Sequence, residues 1–262
     1  MKQLLLHAAT ACLLLSATVS ASAQFKINKK GIDAAGKGVK AATFSDADAA
    51  KLAGQAIAYM DSHNPVADDN DPYTIRLKKL FAAHQNEGGL KLNFKVYKVV
   101  DINAFACADG SVRVFSSLMD IMTDEELLGI IGHEIGHVVN KDTRDAIRSA
   151  YKREALTDAA SSQSETVNTL SESELGGFAA ALLDTKFSRK QESEADDYAY
   201  EFMKKYHYKV TALASAFNKF AEMEKETGSN KSKSDKMLSS HPESADRAAK
   251  VLEKAQKDGL AK

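Results

Sequence analysis

The sequence contains no tryptophan, only three prolines and no excess of charge of either sign. Lysine and arginine number 35 against 36 aspartate and glutamate residues, which gives a net charge of −1. Because phosphate binding usually requires a basic patch, a nucleic-acid partner is not expected. The scarcity of proline, together with stretches rich in alanine, glutamate and lysine, indicates a mostly helical protein.

Cysteine is also scarce, with Cys12 and Cys107 as the two examples. Residues 1–23 combine a lysine, an apolar run and an A-x-A motif ending at Ala23, which predicts a signal peptide and a mature chain starting at Gln24. Its removal leaves Cys107 alone, so we interpret Cys107 as a small buried side chain without a disulfide. We therefore expect a periplasmic or secreted protein, with lipid attachment through Cys12 as the alternative.

Later apolar runs are short; the one at 176–183 has only eight residues, too few to span a bilayer. Residues 90–96 alternate apolar and polar side chains, as a half-buried strand does. Asp109-Gly110 predicts a hairpin turn between arms at 102–108 and 111–116. Apolar periodicity and capping residues predict helices at 45–64, 72–85, 123–142 and 187–206.

The segment HEIGH, residues 133–137, lies within the helix predicted at 123–142. Residues four apart share a helix face, so His133 and His137 present two imidazoles to one point. Two imidazoles make half of a tetrahedral zinc site, and Glu134 is close enough to take a proton from an activated water. This spacing is typical of zinc metallopeptidases. The alternative, core histidines without a metal, leaves polar groups unpartnered in an apolar helix.

A third metal ligand is needed, and the residues alone leave several candidates. Glu192 and Asp196 lie four apart on one predicted helix face, so one could bind the metal while the other orients a ligand histidine. Spacing does not decide between them. Other candidates are the remaining carboxylates and the histidines His63, His84, His207 and His241.

Three motifs together resemble the HtpX-like and CAAX-prenyl-protease-like zinc metallopeptidases, a gluzincin family. HEIGH matches the family's H-E-x-x-H, SRKQESEAD (188–196) its S-R-x-x-E-x-x-A-D segment, and SSHPESADR (239–247) its late histidine-proline segment. The resemblance covers roughly residues 70–255. Because transmembrane helices are not predicted, the sequence resembles the periplasmic LoiP- and BepA-like branch more than the membrane-spanning members of the family.

The resemblance implies that His133, His137 and Glu192 bind one zinc ion. It makes Glu134 the general base and acid, and it makes Asp196 the carboxylate that orients a ligand histidine. The resemblance also implies polypeptide substrates, specifically unfolded or misfolded envelope proteins. Peripheral association with the membrane is a further expectation. The expected fold is α+β, a mostly helical metallopeptidase domain with a small antiparallel sheet beside the active-site helix.

The signal-peptide pattern and the resemblance together divide the chain into a signal peptide at 1–23, an N-terminal helical extension at 24–69 and a zinc metallopeptidase domain at 70–262. An exposed hairpin arm, 103–106 or 112–116, could bind an extended substrate as an additional strand.

Two residues near the end of the chain have open roles. Three roles are open for His241. It could be a catalytic residue that donates a hydrogen bond to the oxyanion, a zinc ligand that holds the enzyme latent, or a surface residue. Arg247 could anchor the segment 239–247, bind a peptide carboxylate or form a surface ion pair.

Two other functions stay open. One is a zinc-dependent chaperone or assembly factor with gated proteolysis, in which the loop around His241 or the serine-rich segment 161–173 acts as a plug. The other is a structural zinc protein, although such sites usually contain several cysteines.

Overall fold

Helices make up most of the molecule, and two small sheets lie among them. The computed structural model describes residues 45–146, 172–227 and 236–261. The predicted α+β, mostly helical class is confirmed. The helices are α1 Asp46–His63, α2 Pro72–Phe81, α3 Ser116–Ile121, α4 Asp124–Val139, α5 Glu172–Leu183, α6 Arg189–Lys205, α7 Thr211–Thr227, α8 Lys236–Ser240 and α9 Ser244–Lys257. The strands are β1 Asn86–Glu87, β2 Leu90–Lys91, β3 Asn93–Tyr97, β4 Ala104–Ala106 and β5 Ser111–Phe115.

The helices predicted at 45–64 and 123–142 begin at the capping residues that the sequence indicated. Thr123 accepts a hydrogen bond from the backbone N–H of Glu126, whose side chain accepts one from the N–H of Thr123. Ser45 and Asp48 form the same reciprocal pair at the start of α1. These bonds satisfy backbone donors that the first turn of a helix leaves unpaired. The helix predicted at 72–85 is shorter than expected, because the chain turns after Phe81 and enters β1.

The larger sheet is mixed rather than antiparallel as predicted. Its strand order is β3-β5-β4; β4 runs antiparallel to β5, but β3 runs parallel to it. The predicted hairpin between β4 and β5 is confirmed, with Gly110 at a φ of 85°. A Cβ atom on Gly110 would lie 2.1 Å from the carbonyl oxygen of Lys91, so glycine is required there.

The strand predicted at 90–96 is divided in two. Leu92 donates its backbone N–H to the carbonyl of Gln85, outside either sheet. β2 therefore pairs with β1 in a small hairpin, while β3 pairs with β5. The alternation of apolar side chains predicted extended backbone but not this change of partner.

The larger sheet separates two apolar clusters. Val96, Val112 and Val114 belong to the larger cluster, on the side of α4, α6, α7 and α9. Phe105 and Phe115 belong to the smaller cluster, which the sheet shares with α1 and α5. α4 packs against α6, α7 and β4, and its residues from Glu126 to Val138 are buried. The HEIGH segment is therefore enclosed by other elements.

Several predictions concern parts of the chain that the structure does not describe. The leader, Cys12, residues 161–171 and residues 228–235 lie outside the described ranges. The division into an extension at 24–69 and a domain at 70–262 stays a prediction. Within the described residues, no helix is both long enough and apolar enough to cross a membrane. Cys107 is buried, as expected for a small apolar side chain.

A buried ion pair ties α1 to the central strand of the sheet. Arg113 on β5 donates from Nε and Nη2 to the two carboxylate oxygens of Asp61, at 2.8 and 3.0 Å. Lys95 and the hydroxyl of Tyr97 donate to the same carboxylate. Because a buried charge without a partner is strongly destabilising, this fork fixes α1 against the sheet.

We expect Asp61→Asn to lower the free energy of unfolding by about 3 kcal/mol at neutral pH, because Arg113 loses its charged partner. Burial acts to raise the pKa of Asp61, but hydrogen bonds from Arg113, Lys95 and Tyr97 outweigh it and lower the pKa to about 2. The stability difference should therefore be full above the unfolded-state pKa, near 3.8, and shrink as the pH falls toward 2.

Urea unfolding of both proteins across this pH range measures the difference. Asp69→Asn is the control, since Asp69 forms an exposed ion pair with Lys78 and its removal should have no measurable effect. A pH-independent difference, or an equal loss in the control, would contradict the prediction.

Candidate active site

α4 contributes two buried imidazoles and a buried carboxylate to one place. His133 and His137 lie one turn apart, and their Nε2 atoms are 3.1 Å from each other. Glu134 is 4% exposed, and its Oε1 atom has no hydrogen-bond partner among the described residues. The nearest ionisable nitrogen recorded for that oxygen is Nε2 of His241, at 3.6 Å.

Glu192 of α6 and His241, which follows α8, complete this cluster. Glu192 Oε1 lies 3.5 Å from His137 Nε2, and its Oε2 lies 3.6 Å from His133 Nε2. His241 Nδ1 lies 3.0 Å from Glu192 Oε1 and 3.2 Å from His133 Nε2. One ligand atom from each of the four residues lies within 4.8 Å of the others. His241 is 7% exposed, so the alternative of a surface histidine is wrong.

The donor set of this cluster fits a divalent metal. In a tetrahedral zinc site, nitrogen and oxygen ligands about 2.0–2.2 Å from the ion are about 3.3–3.6 Å from one another. The recorded separations of 3.0–3.6 Å lie near that range. The structure brings His133, His137 and Glu192 together, as predicted. Their role as zinc ligands stays a prediction.

The other histidines considered as ligands lie outside the cluster. His84 is surrounded by aromatic rings, and its Nε2 lies 2.6 Å from the hydroxyl of Tyr208. His63 is at the end of α1, where it stacks on Tyr59. His207 is exposed beyond the end of α6.

Each imidazole of α4 has a carboxylate behind it. Asp196 Oδ1 lies 2.9 Å from Nδ1 of His133, in the position expected for an orienting carboxylate. Asp142 Oδ2 lies 2.7 Å from Nδ1 of His137, and the sequence did not predict this contact. A carboxylate at Nδ1 favours the tautomer that leaves Nε2 available to a metal.

The missed Asp142 lies just beyond the end of α4, where helical periodicity no longer applies. Lys141 has a φ of 66°, and this turn brings the Asp142 side chain back toward the helix. The sequence signal is weak: a carboxylate five residues after the second histidine of HEIGH. Phe187, which stacks on the His137 ring, was also missed.

Arg247 holds two carboxylates of the site. Its Nε and Nη2 donate to Asp196 at 2.9 and 2.6 Å, and its Nη1 lies 2.8 Å from Glu192 Oε2. The guanidinium also lies over the ring of Phe217, 4.1 Å from the centroid. Arg247 is 6% exposed, so it anchors α9 to α6 rather than forming a surface ion pair.

The two glutamates of the cluster have opposite electrostatic environments. Burial raises the pKa of Glu134. Burial also acts to raise the pKa of Glu192, but hydrogen bonds with His137 and His241 outweigh it and hold that pKa well below its usual range. Glu192 therefore stays ionised, whereas Glu134 is biased toward accepting a proton. A difference of this kind separates an acid–base group from a fixed charge.

A cavity opens onto Glu134, His137 and His241. Its walls come from β4, from the end of α5 with Leu182 and Leu183, and from the chain before α6. β4 is an edge strand, so the arm at 103–106 is the one placed to meet a substrate. The alternative arm at 112–116 is wrong, because β5 is central and pairs on both sides.

The sequence of residues 76–255 matches the model for peptidase family M48. The chain belongs to this family. It is 39% identical over 216 residues to the metalloprotease YcaL of Escherichia coli, covering 82% of this chain and 83% of YcaL. It is 38% identical over 222 residues to the metalloprotease LoiP of the same organism, covering 84% and 86%.

A third similar protein is named as a putative beta-barrel assembly-enhancing protease of Vibrio cholerae. It is 25% identical over 217 residues, covering 77% of this chain and 44% of that protein. The family resemblance predicted from the three motifs is confirmed. The chain is a metallopeptidase that acts on polypeptides, and a purely structural metal protein does not fit this membership.

Close packing of α4 against α6 sets the geometry of this M48 site. A Cβ atom on Gly136 would lie 3.0 Å from Cβ of Tyr198 and 3.1 Å from backbone atoms of Ala195. Gly132 and Gly129 make similarly close approaches to α6 and α7. These glycines allow α6 to approach near enough for Glu192 to reach both histidines.

We expect Gly136→Ala to lower the free energy of unfolding by about 1–3 kcal/mol, because the added methyl group meets backbone that cannot move alone. The same displacement should weaken zinc binding, since Glu192 moves away from the two imidazoles. Thermal unfolding and zinc competition with a chelator measure the two effects.

Gly177→Ala is the matched control. Gly177 lies inside α5, and an added Cβ would have no described atom within 4 Å. Replacing glycine by alanine in an open helical position should stabilise the protein by about 0.5–1 kcal/mol. If Gly136→Ala behaved like this control, the close packing would not set the site geometry.

Proposed function

We propose that this M48 peptidase is a zinc endopeptidase that hydrolyses peptide bonds in unfolded or misfolded proteins of the cell envelope. One observation carries the proposal: a buried Glu134 carboxylate with an unpartnered oxygen lies beside a converging set of imidazole and carboxylate donors. This pairing of a base with a metal-ligand set is the arrangement needed for metal-assisted hydrolysis.

His133, His137 and Glu192 would hold the zinc ion. When bound, zinc supplies Lewis-acid chemistry: it polarises a carbonyl oxygen and makes water a stronger acid. Asp196 and Asp142 keep the Nε2 atoms of the two histidines directed at the same point. Arg247 holds one oxygen of Glu192, which leaves the other toward His137 and His241.

Glu134 would carry the proton. Its raised pKa, caused by burial, favours accepting a proton from the attacking water. The same carboxyl then delivers that proton to the amide nitrogen of the departing peptide. This delivery restores the Glu134 carboxylate, so Glu134 acts first as a base and then as an acid.

The open edge of β4 provides a place for an extended peptide. Asn103 accepts from the N–H of Phe115, and Cys107 donates to Ser111. Because alternate residues of an antiparallel strand face opposite sides, the backbone groups of Ala104 and Ala106 point away from β5. A substrate added here would bind largely through its backbone, which favours weak sequence preference and unfolded chains.

The envelope assignment rests on sequence. Residues 1–23 have the pattern of a signal peptide, and one similar protein is named as a putative beta-barrel assembly-enhancing protease. We therefore propose that the protein acts in the periplasm or outside the cell, with lipid attachment through Cys12 as the alternative form. Peripheral association with the membrane is consistent with either form.

Replacing the proposed base tests the function directly. We expect Glu134→Gln to keep one zinc ion per chain, because Glu134 is not a proposed ligand, and to lose casein hydrolysis. Elemental analysis gives the zinc content, and cleavage is measured with and without a chelator. Hydrolysis that survived in Glu134→Gln would remove Glu134 from the mechanism, and a wild-type protein that bound no zinc would refute the proposal.

A second candidate function is a latent peptidase or chaperone with gated proteolysis. His241 Nδ1 lies as close to Glu192 and His133 as the proposed ligands lie to one another. A fourth protein ligand closes a zinc site, whereas a catalytic site keeps one position open. The described position of His241 supports this closing role over the donation of a hydrogen bond to an oxyanion.

We expect His241→Ala to increase casein hydrolysis and to weaken zinc binding, because it removes the fourth donor. Steady-state kinetics and zinc competition on the same preparations measure both. A fall in kcat of about 10²–10³ would instead assign His241 to oxyanion stabilisation. Unchanged activity and zinc affinity would exclude both roles.

A further inference from the structure

Two residues of the chain entering α6 contact His137 or its supporting carboxylate. The ring of Phe187 stacks on the imidazole, with centroids 3.9 Å apart and planes 17° from parallel. Gln191, in the first turn of α6, donates from Nε2 to Asp142 Oδ1 at 3.0 Å. The other oxygen of Asp142 contacts His137 Nδ1. Gln191 therefore reaches the imidazole through one intervening carboxylate.

The orientation of the Gln191 amide is fixed by its other contacts. Its Oε1 accepts from the N–H of Ser188 at 3.0 Å and from the Ser188 hydroxyl at 2.9 Å. This is the capping box of α6, in which Ser188 also accepts from the Gln191 N–H. With the oxygen used by the cap, the NH₂ group is the part that can face Asp142.

Asp142 needs such a donor. It is 4% exposed, and a buried carboxylate oxygen without a hydrogen bond is costly. Gln191 supplies that bond as a neutral group, so it fixes the carboxylate without competing for its charge. The negative charge of Asp142 is then directed at His137 alone among its described hydrogen-bond partners.

We propose that Gln191 is a positioning residue of the metal site. It joins the helix cap of α6 to the orientation of His137 through Asp142, while the next residue, Glu192, is itself a proposed ligand. The first turn of α6 therefore provides one ligand and supports the carboxylate behind another. This inference rests on the metal site proposed above.

Gln191→Met tests the inference, because methionine keeps the length of the side chain and removes both hydrogen-bonding groups. Ser188→Ala is the matched control, since it weakens the cap and leaves Gln191 able to donate to Asp142. Zinc affinity is measured on purified, metal-stripped protein by competition with a chromophoric chelator, and the absorption spectrum of the Co²⁺-loaded protein reports ligand geometry. Thermal unfolding of the metal-stripped proteins reports the cap.

We expect Gln191→Met to weaken zinc binding by about 10–100-fold and to alter the Co²⁺ spectrum, as loss of a group supporting a ligand typically does. Ser188→Ala should lower the melting temperature with a much smaller change in zinc affinity. Because Gln191 acts through Asp142, Gln191→Met should add little further loss in an Asp142→Asn background.

Three results would overturn the inference. Wild-type zinc affinity and spectrum in Gln191→Met would show that the contact has no effect on the site. Equal losses in Gln191→Met and Ser188→Ala would assign the effect to the helix cap. Additive losses with Asp142→Asn would show that Gln191 acts independently. A wild-type protein without zinc affinity would refute the proposed function itself, which separates that failure from these.

Discussion

The contact between α4 and α6 is the constraint on which the site depends. α4 carries His133, Glu134 and His137, while α6 carries Glu192 and Asp196, so no single element holds a complete donor set. The side chain of Glu192 is short, so its carboxylate reaches both imidazoles only if the backbones of α4 and α6 are close. Gly136 permits this distance, since a Cβ atom there would press on the backbone of Ala195. The glycine in HEIGH therefore has a packing role as definite as the chemical role of its neighbours.

Burial of so many ionisable groups around one point requires each to have a partner. Arg247 lies between Asp196 and Glu192 and compensates both carboxylates with one guanidinium. The supports of the two histidines differ: the carboxylate behind His133 contacts a cation, whereas the one behind His137 contacts a neutral amide. The positive charge of Arg247 partly offsets the negative charge of Asp196, whereas Asp142 has no such cation among its described hydrogen-bond partners. The two imidazoles therefore have different electrostatic environments. Burial and Arg247 lower the pKa of His133. Burial also acts to lower the pKa of His137, but hydrogen bonds with Asp142 and Glu192 outweigh it and raise that pKa to about 9.

The sequence predicted the parts of the site that follow helical periodicity. His133 and His137 are four residues apart, and so are Glu192 and Asp196. The family resemblance then assigned Glu192 as the ligand and Asp196 as the orienting carboxylate. Asp142 lies beyond the end of α4 and Phe187 lies before the start of α6, where the direction of a side chain depends on turns such as the one at Lys141. The parallel pairing of β3 was missed for a similar reason. Alternation gives the faces of a strand, but the choice of neighbour depends on where the connecting residues take the chain.

The cavity beside Glu134 depends on α1, which the sequence analysis placed in an N-terminal extension. The cavity wall includes Leu182 and Leu183 at the end of α5, and α5 packs against α1. Another part of the wall is β4, whose Phe105 belongs to the same apolar cluster as α1. α1 is in turn fixed to β5 by the fork between Asp61 and Arg113. Both parts of the wall therefore rest on one helix, so α1 contributes to the shape of the cavity although it supplies no residue to the metal-ligand cluster.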